Sequence, residues 1–230
     1  MKGRIIVPTN LSEISLAQYQ HFLKVSEGLE GNDLKTKMVS VFCKVDEELV
    51  KAFSRADVEE FSTILDGMFK NDYPFIPKFT IDGKSFGFIP SLEEMTYGEY
   101  VDLDNYISDW DKMHKAMAVL FRPIIKTKNG NYIIEEYESS DKYSELMKLM
   151  PLSCAMGAMV FFYHLGIELL KAIPLYLAKQ MEMIEKETSQ NKANLINNGD
   201  GILQSINLLR ETLGDSMKLL NLDWQRHLHT

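Results

Sequence analysis

FTIDGKSFGFIPSLEEMTYGEYVDLDNYISDW, residues 79–110, continues through HKAMAVLFRPI (114–124) to NYIIEEYE (131–138), and this stretch sets the fold class. Two apolar runs, Phe79–Ile81 and Phe86–Ile89, flank Asp82-Gly83-Lys84-Ser85. Asp-Gly between such runs is a hairpin signal, because glycine adopts positive φ at little cost. A first β-hairpin is therefore predicted over 79–89, closed by Pro90. Arg122–Ile125 and Tyr132–Ile134 enclose Lys128-Asn129-Gly130-Asn131 and predict a second hairpin over 122–137. Between them, Ser91-x-x-Glu94 and Thr96-x-x-Glu99 are two competing capping boxes for one acidic helix. Its buried side is read from Val101, Leu103, Tyr106, Ile107, Trp110, Met113, Met117 and Leu120.

The flanking sequence is helical. Ile5-Ile6-Val7 before Pro8 suggests a short edge strand, after which Ser15 and Gln18 form a capping box for a helix over 15–26. Leu34, Met38, Val41, Phe42, Val45, Leu49 and Val50 recur with helical period and predict a second helix from Asp33 to Phe53. Ser54 opens a third helix with Val58, Phe61, Ile64, Leu65 and Met68 turned inward, broken by Asn71–Pro77. After Ser140 a long helical tract is expected, interrupted near Pro151 and kinked at Pro174. The fold class is thus mainly α (α+β): amphipathic helices, two small hairpins and a long C-terminal helical region, with helical content above half. A helical domain over 1–185 is expected, then a polar linker over 186–201 (KETSQNKANLINNGDG), then an amphipathic helix over 202–230.

A chain of 230 residues with net charge −8 is long enough to bury a real core and poorly suited to sequence-independent nucleic-acid binding. The charge is uneven: residues 91–111 hold seven acids and no lysine or arginine. A solvated helix face is the plain reading of that run. The functional one is docking of a basic partner through Glu99, Asp102, Asp109 and Asp111. Cys43 and Cys154 sit far apart in apolar helical settings, which suits buried thiols in a reducing compartment. The first fifteen residues lack the features of a secretory signal.

From Leu149 to Ile167 there are 19 consecutive residues without a charged side chain. The length matches a membrane span, but Pro151, Ser153, Gly157, His164 and Gly166 dilute it and no basic flank follows. A buried or partner-covered helix is expected instead, with Met159 and Phe162 as contact residues.

Catalytic signatures are missing. Asp102-x-Asp104 begins like a calcium loop but lacks the glycine and the closing acid that such a loop needs. Asp111-x-x-His114 has the spacing of one di-iron ligand pair, a motif required twice. No GxSxG, HExxH, P-loop or dinucleotide fingerprint occurs, and no cofactor or metal is implied. Arg122, after the apolar run AMAVLF, should find a carboxylate or helix-end carbonyls, since a charge buried alone is costly.

The order of LSEISLAQYQHFL (11–23), the 79–100 hairpin and cap, DLDNY (102–106), HKAMAVLFRPI and NYIIEEYE resembles a family of small proteins encoded among the structural genes of tailed bacteriophages. It is most similar to proteins of crAss-like and marine podoviruses and covers roughly residues 11–170. The resemblance implies a virion or assembly role without catalysis and transfers no catalytic residue. Its expected partners are other virion proteins and further copies of the chain, without direct nucleic-acid contact, in particles assembled in the host cytoplasm. A neck or tail subunit of the head–tail connector or ring type fits first. An assembly chaperone that leaves before maturation, using a methionine-rich surface, and a membrane-associated phage protein are the alternatives.

Overall fold

Pro123 ends one helix and starts the strand on which the sheet is organised. A residue before proline is pushed to extended geometry, so the helical run MHKAMAVL stops at Leu120 and Arg122 is already in a strand. The computed structural model describes residues 5–70, 72–128 and 130–165. The helices are α1 (Leu16–Ser26), α2 (Gly31–Cys43), α3 (Glu47–Lys51), α4 (Arg55–Phe69), α5 (Tyr97–Ile107), α6 (Met113–Leu120), α7 (Asp141–Met147) and α8 (152–165). The strands are β1 (Lys78–Ile81), β2 (Lys84–Phe88), β3 (Phe121–Lys128) and β4 (Asn131–Ile134). Helix accounts for 57% of the described residues, as the mainly α (α+β) reading requires. The described residues up to Ala158 belong to one compact unit, and the rest of α8 belongs to a second. The expected kink at Pro174, the linker over 186–201 and the helix over 202–230 lie outside the described residues.

The two hairpins form where expected, but they are not separate. All four strands join in one antiparallel sheet of order β1-β2-β3-β4. The join pairs Phe86 with Pro123, Gly87 with Arg122 and Phe88 with Phe121, and the Ile89 amide extends it by donating to the Leu120 carbonyl at 2.9 Å. Pro123 cannot donate, and the β2–β3 ladder ends at it. The first turn is tighter than predicted. Asp82 (φ 49°) and Gly83 (φ 72°) both adopt positive φ, the two-residue geometry that matches strand twist, and the strand resumes at Lys84. Gly87 is required by packing: a Cβ there would come within 2.4 Å of the Tyr132 ring. That ring is held by a 2.7 Å hydrogen bond from its hydroxyl to the Phe88 carbonyl.

Three local expectations change. Residues 5–7 form no strand. The helix expected over 33–53 is two helices. Lys44 turns left-handed (φ 54°) after α2, and Asp46 caps α3 by accepting from the Glu48 amide at 3.1 Å. The apolar stripe carries across the break, which is why periodicity alone missed it. The acidic helix is also divided: Thr96 and Glu99 form the operative box, and Asp109 caps a 3-10 turn at Trp110–Lys112 before α6 begins.

α6 is the centre of the core, with Met113, Ala116, Met117, Ala118, Val119 and Leu120 all buried. Leu16, Tyr19 and Phe22 of α1, Met38 and Phe42 of α2, and Leu65 and Met68 of α4 are buried too, as are Phe86, Phe88 and Phe121 on the sheet. Edge and tilted ring contacts run from Phe22 to Phe42 and Phe69, and from Tyr19 to Trp110. The two ends of the core are sewn together by backbone. Leu16 and Ala17, whose amides are free donors at the start of α1, donate to the carbonyls of Met150 and Lys148, each at 2.9 Å. The Leu152 amide returns a 2.8 Å bond to the Ile14 carbonyl.

Gly67 lies in the last turn of α4, with helical backbone and nothing within 4 Å of where a Cβ would stand. Gly67→Ala is therefore expected to stabilise the chain by up to about 1 kcal/mol, the helix-propensity difference for a full interior position. Thermal denaturation followed by circular dichroism measures this, and a lowered midpoint would refute the free space inferred at this position.

Candidate functional site

Glu99 and Arg122 form a buried ion pair, Oε1 to Nη2 at 2.6 Å. The glutamate reaches this position through its capping box. Its Oε2 accepts from the Thr96 amide and hydroxyl, each at 2.7 Å, while its own amide donates to the Thr96 hydroxyl at 3.3 Å. One carboxylate thus starts α5 and neutralises the arginine of β3. The Arg122 guanidinium lies 5.6 Å from the centre of the Tyr137 ring, and the Tyr137 hydroxyl donates to Asp102. Glu99 and Asp102, three apart on one helical face, tie α5 to the sheet and to the segment after β4. Arg122 Nε is buried without a hydrogen-bond partner among the described residues, so Glu99 is the anion that makes the cation tolerable.

Glu99 therefore corrects the sequence reading of the acidic face. It is buried against Arg122 and is not offered to a partner, and Asp102 is engaged by Tyr137. Asp109 is half-buried, caps the 3-10 turn and pairs with Lys112 at 3.0 Å. Glu93, Glu94, Asp104 and Asp111 are the exposed acids of the run. Among them stand two side chains that sequence reasoning did not single out: Tyr97 is 82% and Tyr100 57% exposed. They lie three apart on the exposed side of α5. The signal that could have shown this was the capping box itself, which turns Glu99 inward and so fixes which face points out.

Met159 is 1% exposed, and Phe162 is half-buried and meets the Phe161 ring edge-on at 5.6 Å. Gly157 explains how α8 enters the core: the backbone of Pro74 and Phe75 passes where a side chain would be. Among the described residues no helix is long and apolar enough to cross a membrane. The methionines at 113, 117, 147, 150 and 156 are buried packing residues.

Other sequence candidates resolve into structural contacts. The Gln20 amide bridges to the Trp110 carbonyl at 2.6 Å and to His114 Nδ1 at 3.1 Å. Burial, followed by nearby Lys148, holds the His114 pKa below its usual value. No group of three or more His, Cys, Asp or Glu among the described residues could hold a metal ion. Burial pushes the thiols of Cys43 and Cys154 up to about 11, which keeps both protonated and unreactive near neutral pH.

Tyr137 gives a pH signature of the network. Burial first, and then the Asp102 carboxylate, raises its pKa well above the ordinary value near 10; Tyr73, Tyr132 and Tyr143 are raised as well, each chiefly by burial. A raised folded-state pKa contributes stability that is complete below the unfolded value and lost as pH climbs past it. Stability should accordingly fall above about pH 10. Ultraviolet titration of the folded chain should show these tyrosines ionising late, and Tyr137→Phe should remove the latest. Ordinary titration of Tyr137 would mean that its bond to Asp102 does not form.

No family model, curated protein or solved structure matches this chain.

Proposed function

We propose that this chain is a non-enzymatic morphogenesis protein of a tailed bacteriophage. It serves as a structural subunit of the virion neck or tail, of the head–tail connector or ring type, and works through contacts with other virion proteins and with its own copies. The resemblance over residues 11–170 supports the setting. The observation that carries the contact-making role is the outward placement of Tyr97 and Tyr100 amid exposed carboxylates. Tyrosine buries a large rigid surface at low entropic cost and is enriched at the centres of interfaces. Two such side chains on one helix face are an expensive arrangement to leave in water.

Quantitative mass spectrometry of purified particles tests this reading. A subunit is found in mature virions at a fixed copy number relative to the major capsid protein. Presence in infected cells with absence from virions assigns the chaperone role instead, and recovery with the membrane fraction assigns the membrane-associated one.

A further inference from the structure

The charges on the described surface are segregated. The strands and turns of the two hairpins carry Lys78, Lys84, Lys126 and Lys128, all exposed, against a single acid, Asp82. The α5 region carries the exposed acids and no exposed cation between residues 91 and 111. Each region also exposes two large apolar side chains. On the β3–β4 hairpin these are Ile125, 64% exposed, and Ile133, 55% exposed. Ile133 and Lys126 are cross-strand partners and so share a face, and the register shift between Ile124 and Lys126 leaves Ile125 as the bulged residue. Lysines on an outer hairpin guard against edge pairing. Isoleucines beside them do not serve that purpose.

We propose that the outer β3–β4 hairpin is a docking surface for α5 of a second copy of this chain. Ile125 and Ile133 pack against Tyr97 and Tyr100, while Lys126 and Lys128 face Glu93, Glu94 and Asp104. The occupant is argued from charge and shape together. Lys126 and Lys128 stand beside one apolar pair and the acids beside the other, the arrangement of an apolar centre with a polar rim, and Glu135 after β4 is held by Lys142 at 2.9 Å. An 11-residue helix is about 16 Å long and an 8-residue strand about 26 Å, so the helix lies within the length of the hairpin. A contact of that length falls below the usual area of a stable dimer, about 800 Å² per partner, and by itself is weak. The two surfaces are on different elements. One contact can be doubled by a reciprocal two-fold pair or repeated head-to-tail into a ring or filament, and either closed arrangement adds the strength that one contact lacks. This inference rests on the contact-making role proposed above and names its partner.

Sedimentation velocity of the full-length protein over a wide concentration range, at low and high salt, is the test. Self-association is expected at low salt, weakened at least about tenfold at high salt because the rim charges are exposed. Lys126→Glu/Lys128→Glu places acid against acid, and Glu93→Lys/Glu94→Lys places base against base. Each double variant alone should be monomeric, with an unchanged circular dichroism spectrum, and the two mixed should associate again. Tyr97→Ala should weaken association at least about tenfold. The proposal is overturned if the wild type stays monomeric at low salt, if either charge variant associates like the wild type, or if mixing fails to restore association. It is also overturned if wild-type protein shifts duplex DNA, the lysine variant does not, and no self-association is seen; that result assigns the lysines to phosphate. Particle composition is read separately. A monomeric chain found in virions sinks this inference alone, and a self-associating chain absent from virions sinks the virion role alone.

Discussion

Arg122→Met is expected to destabilise the chain by about 3–5 kcal/mol, because it leaves the Glu99 carboxylate buried without its counter-charge. The complementary change, Glu99→Gln, separates two functions of one side chain. Glutamine still completes a capping box, so α5 should retain its start. Loss of a cap costs about 1 kcal/mol, and Glu99→Gln should cost several times more because Arg122 is then the unpaired charge. Combining both changes should recover most of the loss, since removing a buried pair together is often close to neutral. A double-mutant cycle by chemical denaturation measures this coupling directly. An Arg122→Met variant within about 1 kcal/mol of wild type would mean that water reaches the Glu99 carboxylate and that the pair is not a desolvated one.

Gly157→Ala should also be destabilising, against what helix propensity alone predicts. Alanine in a helix interior is favoured over glycine by about 1 kcal/mol. Here the added Cβ would stand 2.3 Å from the Pro74 carbonyl oxygen and 3.3 Å from the Phe75 Cα, both backbone atoms that no rotamer change can move aside. Overpacking of this kind costs about 1–3 kcal/mol, occasionally more, and outweighs the propensity gain. Gly157→Val should be worse still. The midpoint of thermal unfolding should drop for Gly157→Ala and rise for Gly67→Ala. A gain at both positions would show that the 74–75 segment yields readily and that α8 is not held by it.

The acidic helix shows how far local signals reach. Its composition made it a candidate surface, and four exposed acids remain on that surface. Glu99 left it because a carboxylate three residues after Thr96 points back along the helix, towards the position where β3 brings Arg122. The need of Arg122 for an anion was legible from its apolar approach; which anion was not. Ser91 and Glu94 offered an equally good box. The choice of Thr96 is explained by the extra partner that Glu99 gains and Glu94 does not. Met159 is a related case. An apolar run shows that a helix is covered, without showing whether the cover is the chain's own core or a neighbour.

By itself the sequence determined what lies within one turn of the chain: the caps at Ser15 and Ser54, the Asp82-Gly83 turn and the halt of α6 before Pro123. These are contests between a few neighbouring hydrogen bonds and dihedral angles, and side-chain chemistry decides them on the spot. Only the tertiary structure decided that two hairpins become one sheet, that α1 lends its amides to the carbonyls after α7, that Gly157 lies against Pro74, and that Glu99 faces in while Tyr97 faces out. Each of these joins segments distant in sequence. Local periodicity is the same whichever partner covers an apolar face, and the pairing is selected by the packing and charge neutralisation gained when the segments meet.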